Sequence, residues 1–209
     1  MLKLIMFDWD GTCHDSMSKI RHCYEYSVGK LNWKADWDSM RPYLGQPFVK
    51  FAHYACPNHP EEYVKYYLEE YFRLPEAPLY KGTIETIEAL KKDFNVCLVT
   101  GKPRKATADC LRNVGMSDAF DYMVCAEDTE NSKPSPEPLL KAMEYYNVLP
   151  KEAVYIGDAV NDFKASKAAG TNVIGVTWGA LHRDETENQN PDFIAETWQD
   201  VIDICNKMK

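Results

Sequence analysis

The chain has no run close to the ~18 consecutive apolar residues that a membrane helix needs, so no membrane partner is expected. Basic residues are in deficit, 24 Lys and Arg against 32 Asp and Glu, for a formal net charge of −8. That balance is a poor match to the phosphate backbone of nucleic acid. An anionic ligand would need a local positive pocket within an overall negative field. There is no C-x-x-C pair, and the seven cysteines are an odd number. Several lie in apolar runs, so they read as buried thiols in a reducing compartment and not as a disulfide framework. The opening residues Met1 to Asp8 turn acidic too soon for a secretion signal. Together these readings lead to the expectation of a soluble, cytoplasmic protein. The 10 glycines and 12 prolines are too few for a collagen or a linker. Hydrophobic residues at 45% and charged residues at 27% exclude disorder as the main state. At 209 residues, the length prior is ~1.4 domains: one good-sized domain, with room for a smaller insertion.

Short apolar runs alternate with helix-length segments over much of the chain. Strands are predicted at 2–8, 96–100, 122–125, 153–158 and 172–176, with helices at 83–92, 103–114, 136–146 and 162–169. This alternation predicts an α/β fold with a doubly wound, parallel, Rossmann-like sheet. Residues 16–80 break the pattern. They hold no convincing strand, their apolar residues recur at helical spacing, and prolines 42, 47, 57, 60, 75 and 78 punctuate them. The expectation is a small all-helical domain, 16–80, inserted into a core built from 1–15 and 81–209. The polar stretch 182–191 is expected to be an exposed loop, and 196–208 a closing helix.

Four segments carry candidate chemistry. In Phe7-Asp8-Trp9-Asp10-Gly11-Thr12, residues i and i+2 share a strand face, so Asp8 and Asp10 can point the same way. Oxygen ligands at a strand end suit a hard cation such as Mg²⁺; an acidic D-G turn is the plainer reading. Chance alone gives D-x-D-G-T in roughly one chain in several hundred. Val96 to Lys102 delivers Thr100 and Gly101 to a strand end just before a helix whose free N–H groups suit a phosphate, although a simple helix cap fits as well. In Asn131 to Pro136, two prolines stiffen the backbone around Lys133, which can present a point charge to phosphate or lie on the surface. In Val154 to Asp162, Asp158 ends an apolar strand. Asp162 lies four residues on, where it can share a side with Asp158 or favour a helix dipole. Active sites of doubly wound sheets gather at strand carboxyl ends, so all four segments would converge.

In order and content, these segments resemble the four motifs of the haloacid dehalogenase-like hydrolase superfamily, over nearly the whole chain. The insertion resembles the helical cap of its phosphoglycolate phosphatase-like branch. The resemblance implies Asp8 as nucleophile and Asp10 as general acid/base, with the Asp10 backbone carbonyl also binding Mg²⁺. It implies Thr100 and Lys133 as phosphoryl-binding catalytic groups, beside Gly101. Asp158 would hold the metal with Asp8, and Asp162 would support it directly or through water. The implied activity is a Mg²⁺-dependent phosphatase that acts on a small phosphorylated metabolite, with phosphoglycolate favoured, through an aspartyl-phosphate. Alternatives are a sugar phosphomutase, a pyrophosphatase or nucleotidase, and a non-catalytic phospho-metabolite sensor on the same fold. Monomer and homodimer both stay open.

The chain departs from the resemblance after the first motif, which continues Cys13-His14-Asp15-Ser16 where relatives usually place a leucine and another apolar residue. His14 is taken as a flap residue that touches substrate. Arg41, in the insertion, is a candidate partner for a substrate carboxylate. His53, Cys56 and His59 are spaced like zinc ligands. However, Pro57 and Pro60 interrupt them and no fourth ligand is evident, so a helix end is the preferred reading.

Overall fold

The computed structural model describes residues 1–34 and 36–209. Six strands form one parallel sheet: β1 (Leu4–Phe7), β2 (Asn95–Val99), β3 (Tyr122–Val124), β4 (Ala153–Gly157), β5 (Asn172–Val176) and β6 (Phe193–Ala195), in the order β3-β2-β1-β4-β5-β6. The strands are near-continuous apolar runs because both faces are covered. Successive side chains alternate between two cores. Ile5, Phe7, Val96, Leu98, Val154 and Ile156 enter one apolar cluster, and Leu4, Met6, Cys97, Val99, Val124 and Tyr155 enter the other. The predicted fold class is therefore the observed one. All seven cysteines are free and buried. Among the described residues, no helix is long and apolar enough to cross a membrane.

Between β1 and β2 the chain forms α1 (Met17–Lys30), α2 (Trp37–Met40), a 3₁₀ turn (Arg41–Tyr43), α3 (Phe48–Ala55), α4 (Pro60–Arg73) and α5 (Thr83–Leu90). The first four helices enclose a further cluster, rich in rings, Tyr24, Phe51, Tyr63 and Tyr67, which also takes in Ala159 and Ala180 from the loops after β4 and β5. Phe48 and Tyr67 meet at 4.5 Å between centroids, tilted, and Tyr24 and Tyr63 at 6.5 Å, edge to face, the geometries that aromatic quadrupoles favour. His22 and Arg73 both bond the buried Glu70, tying α1 to α4. His53, Cys56 and His59 sit at the end of α3 and in the turn after it, as the sequence favoured.

The remaining helices are α6 (Arg104–Asn113), α7 (Glu137–Tyr146), α8 (Val160–Ala169), α9 (Arg183–Asn188) and α10 (Trp198–Lys207). Two elements correct the sequence reading. The 182–191 segment is not a loop throughout, because it contains α9. That helix has no apolar stripe to betray it. Its first turn is capped when the His182 N–H donates to Glu185, the backbone capping that fixes short helices. β6 was not predicted either. It has three residues at the sheet edge, too few to show a period.

The sheet order reverses direction at β1. Chain from β1 runs outward through β2 and β3, then returns to the other side at β4. Doubly wound sheets bind ligands in the crevice at such a switch point. Here it is framed by the residues that follow Phe7 and Gly157, on two hydrogen-bonded neighbours with Phe7 opposite Ile156.

Candidate active site

Asp8 continues the β1 ladder, its N–H donating to the Ile156 carbonyl, and its buried carboxylate turns into the crevice. Lys133 Nζ donates to Asp8 Oδ1 at 2.9 Å, to Asp162 Oδ1 at 2.7 Å and to the Tyr155 hydroxyl at 2.7 Å. Tyr155 in turn donates to the Val99 carbonyl at 2.9 Å. A lysine 125 residues from Asp8 in sequence is thus fixed at all three of its donor positions.

Asp162 stands at N3 of α8. Its Oδ2 accepts from the Asp158 and Ala159 N–H groups at 3.1 and 2.9 Å, a carboxylate capping a helix start. Asp158 ends β4. Its Oδ1 accepts from Thr12 Oγ1 and its Oδ2 from the Ala180 N–H, each at 2.7 Å. This closeness requires glycine. A Cβ on Gly11, where φ is +86°, would lie 2.1 Å from Asp158 Oδ2, and one on Gly179 would lie 2.3 Å from it.

Asp8, Asp158 and Asp162 each offer a carboxylate oxygen within 4.8 Å of the others. Lys133 pairs with two of these three buried carboxylates, Asp8 and Asp162. Burial raises Asp8, Lys133 lowers it, and Asp162 and Asp10 raise it again, so that it is pushed up to about 7. Burial, then Asp162 and Asp8, push Asp158 well above the usual carboxylate range. Burial by itself would depress Lys133, but the Asp162 and Asp8 charges outweigh it and hold the lysine fully protonated. A buried all-oxygen cluster with uncompensated negative charge is the donor set that a hard divalent cation takes, so these residues fit Mg²⁺.

Asp10 lies two residues on, its carboxylate among different partners: Lys102 Nζ at 3.1 Å, Ser16 Oγ at 2.8 Å and His14 Nδ1 at 3.3 Å. Burial would raise it, but Lys102 and His14 hold it well below the usual range. Thr100 and Gly101 follow β2. The Thr100 N–H donates to the Val124 carbonyl, and its hydroxyl accepts from the Lys102 N–H at 3.2 Å. Asp8, Asp10, Thr100, Gly101 and Lys102 form the floor of a cavity of about 200 Å³.

Five of the expected residues do not line this cavity: Lys133, Asp158 and Asp162 cluster around Asp8, and His14 and Arg41 are engaged elsewhere. His14 is fully buried. It stacks on Trp9 at 5.2 Å, and its Nε2 lies 2.9 Å from the Ala77 carbonyl. The turn after β1 folds back, with the His14 N–H donating to the Trp9 carbonyl, so His14 braces Asp10 and lines no part of the cavity. Arg41 turns the other way. It donates to the Ala180 carbonyl at 2.7 and 3.1 Å and to Glu185 at 2.9 Å, and its charge is spent on α9. Sequence reasoning passed over Lys102, Tyr155 and Thr12. Lys102 stands inside the quoted motif, right after Thr100-Gly101, and that spacing was the available signal. Nothing local marks Tyr155 or Thr12.

Known proteins share this architecture. The chain is 30% identical to a pyrophosphatase, PpaX, from Halalkalibacterium halodurans, over 97% of this chain and 96% of that one. It superposes with a TM-score of 0.82 on a protein described as a predicted phosphoglycolate phosphatase from Haemophilus somnus 129pt, at 26% identity, covering 97% of each chain. A haloacid dehalogenase-like family hydrolase from Streptococcus pneumoniae gives a TM-score of 0.83 at 24% identity, over 97% of this chain and 98% of that one, which bears on the fold alone. The family model described as haloacid dehalogenase-like hydrolase matches residues 5–176, a span that holds the sheet from β1 to β5, the helical insertion and every acid of the crevice. On that match the chain belongs to the haloacid dehalogenase-like hydrolases.

Proposed function

We propose that this protein is a Mg²⁺-dependent phosphatase that passes the phosphoryl group of a small phosphorylated compound to Asp8 and then to water. One observation carries the reading. The buried Asp8 carboxylate is fixed by Lys133 beside Asp158 and Asp162, while a second acid, Asp10, faces the same cavity among separate partners. A site for binding alone has no use for a carboxylate aimed at phosphorus with an acid/base two residues away.

The chemistry follows from like charges. A carboxylate that attacks a phosphate ester is repelled unless positive charge lies between them. Lys133 supplies one such charge. Mg²⁺ held by Asp8, Asp158 and Asp162, with the Asp10 carbonyl in addition, would supply the rest by neutralising the phosphoryl oxygens. An Asp8 oxygen forms the bond to phosphorus as the ester P–O bond breaks, and Asp10 gives its proton to the departing alkoxide. Asp10 then takes a proton from water as that water attacks phosphorus, which releases Asp8 and inorganic phosphate. Dividing one displacement into two is the gain of a covalent intermediate. In the present state the Lys102 contact keeps Asp10 ionised, ready to be a base. An arriving phosphate dianion adds negative charge beside it and raises its affinity for the proton it must donate. Thr100 and the Gly101 backbone hold the transferring group against β2. The helical insertion, residues 16–80, serves as the cap that covers the cavity during the first step.

Hydrolysis of a phosphoanhydride is the second reading, favoured by the name of the Halalkalibacterium halodurans relative. The test is phosphate release from a panel of phosphomonoesters and pyrophosphate, with Mg²⁺ and with EDTA. Metal-dependent turnover of esters is the expected result. Turnover of pyrophosphate alone selects the second reading, and saturable phosphate binding without turnover of anything selects a sensor.

A further inference from the structure

We infer that the cavity over Asp8 and Asp10 receives an apolar leaving group, so that the substrate class is the phosphate ester of a hydrocarbon or aromatic alcohol. This rests on the phosphatase reading and names the substrate of the same site.

The cavity changes character away from its floor. Its walls are Ile20 of α1, Leu44, Phe48 of α3, and Leu68, Tyr71 and Phe72 of α4. Among the described residues that line it, Lys102 is the one cation, and its ammonium is already committed. It lies 3.1 Å from Asp10 Oδ2 and 3.2 Å from the Tyr71 hydroxyl. Arg41, expected from the sequence to meet a substrate carboxylate, is spent on Ala180 and Glu185.

A carboxylate or second phosphate carried into this space would lose its water against hydrocarbon and gain no free positive charge. Burying an unpaired anion is heavily unfavourable. An apolar group entering the same space gains by leaving water. Two wall residues support that direction. Phe72 is 75% exposed and Leu68 38%, large apolar side chains left to solvent at a cavity mouth, where a ligand would cover them. The size agrees as well. An apolar cavity of ~150 Å³ accepts a benzene-sized molecule, and this one is about 200 Å³ including the floor. The Gln46 amide at the wall leaves room for one polar group on an otherwise apolar alcohol.

The test measures kcat/KM of the full chain with Mg²⁺ for benzyl phosphate, glycerol phosphate, 2-phosphoglycolate and pyrophosphate. Benzyl alcohol and glycerol leave as alkoxides of comparable basicity, so a difference between their esters reports the pocket and not the bond. Benzyl phosphate is expected to lead by ~10-fold or more, the scale on which hydrophobic pockets discriminate. Leu68→Arg, at a half-exposed site that tolerates substitution, is expected to cut the benzyl phosphate to phosphoglycolate ratio by ~10-fold. Phe72→Ser is expected to lower the benzyl to glycerol ratio. A wild-type preference for phosphoglycolate or pyrophosphate overturns the inference and leaves phosphatase chemistry standing. Ratios unmoved in both variants overturn it too, because the walls would then not touch the leaving group. Turnover of none of the four overturns the phosphatase reading and the inference together.

Discussion

Lys133 and Asp8 form a buried ion pair, Nζ to Oδ1 at 2.9 Å, with side-chain exposures of 1% and 6%. Lys133 also meets Asp162, so one ammonium offsets two of the three buried carboxylates. Lys133→Met removes it and leaves Asp8 and Asp162 facing each other across a low-dielectric gap. Loss of one partner of a buried pair costs about 3–5 kcal/mol. Thermal denaturation should show a much lower Tm, and phosphatase turnover should fall by ~10²-fold or more. Wild-type stability in this variant would mean that the pair contributes nothing to the fold.

The same cluster predicts a metal effect that does not depend on activity. A cation that binds the folded state alone stabilises it by about 2.7 kcal/mol at a hundred times its Kd. Mg²⁺ should therefore raise the Tm of the wild-type protein. Asp158→Asn removes one oxygen charge and should shrink that rise, while raising the stability of the metal-free form by relieving repulsion. Equal Tm shifts in both proteins would place the cation elsewhere.

Lys102 is the leading cause of the low affinity of Asp10 for its proton, acting against burial. Its removal in Lys102→Met leaves burial dominant, so the Asp10 proton is held to higher pH. Asp10 must enter the first step protonated, so the alkaline limb of the pH–rate profile should move to higher pH. In Tyr71→Phe, which removes only a hydroxyl bonded to Lys102, the limb should stay close to its wild-type position. An alkaline limb that stays in place in Lys102→Met would show that Asp10 does not set it.

Glu70 gives a pH test confined to the helical insertion. Hydrogen bonds from Arg73 and then His22 lower its folded-state pKa to about 2, from an ordinary value of 4.5. A depressed carboxylate stabilises the fold above its unfolded pKa and loses that contribution as pH falls through the folded one. The stability difference between wild type and Glu70→Gln should be full at pH 7, decline below about 4.5 and vanish near 2. Denaturant titrations at several pH values check this, and a difference independent of pH contradicts it.

The sheet was legible because a strand buried on both faces is a continuous apolar run, as in Val96 to Val99 or Val154 to Ile156. α9 was not, since a six-residue polar helix held by Glu185 and Arg41 has no period to read. In the crevice, Asp8, Asp158, Asp162 and Lys133 could be anticipated to meet, because each follows or adjoins a strand end of one parallel sheet. Lys102 and Asp10 are 92 residues apart, and only folding shows that they pair. Arg41 and His14 lie off the cavity for one reason: each side chain takes an acceptor within the protein, Arg41 the Ala180 carbonyl and Glu185, and His14 the Ala77 carbonyl and Asp10.

In the proposed reaction Asp8 carries the phosphoryl group. Acid-quenched single turnover with Mg²⁺ and a hydrolysable ester, followed by peptide mass analysis, tests it directly. A transient phosphoryl increment on the peptide containing Asp8, present in wild type and absent with all turnover in a folded Asp8→Asn protein, is the predicted result. Turnover retained in Asp8→Asn, or an increment on another residue, would contradict it.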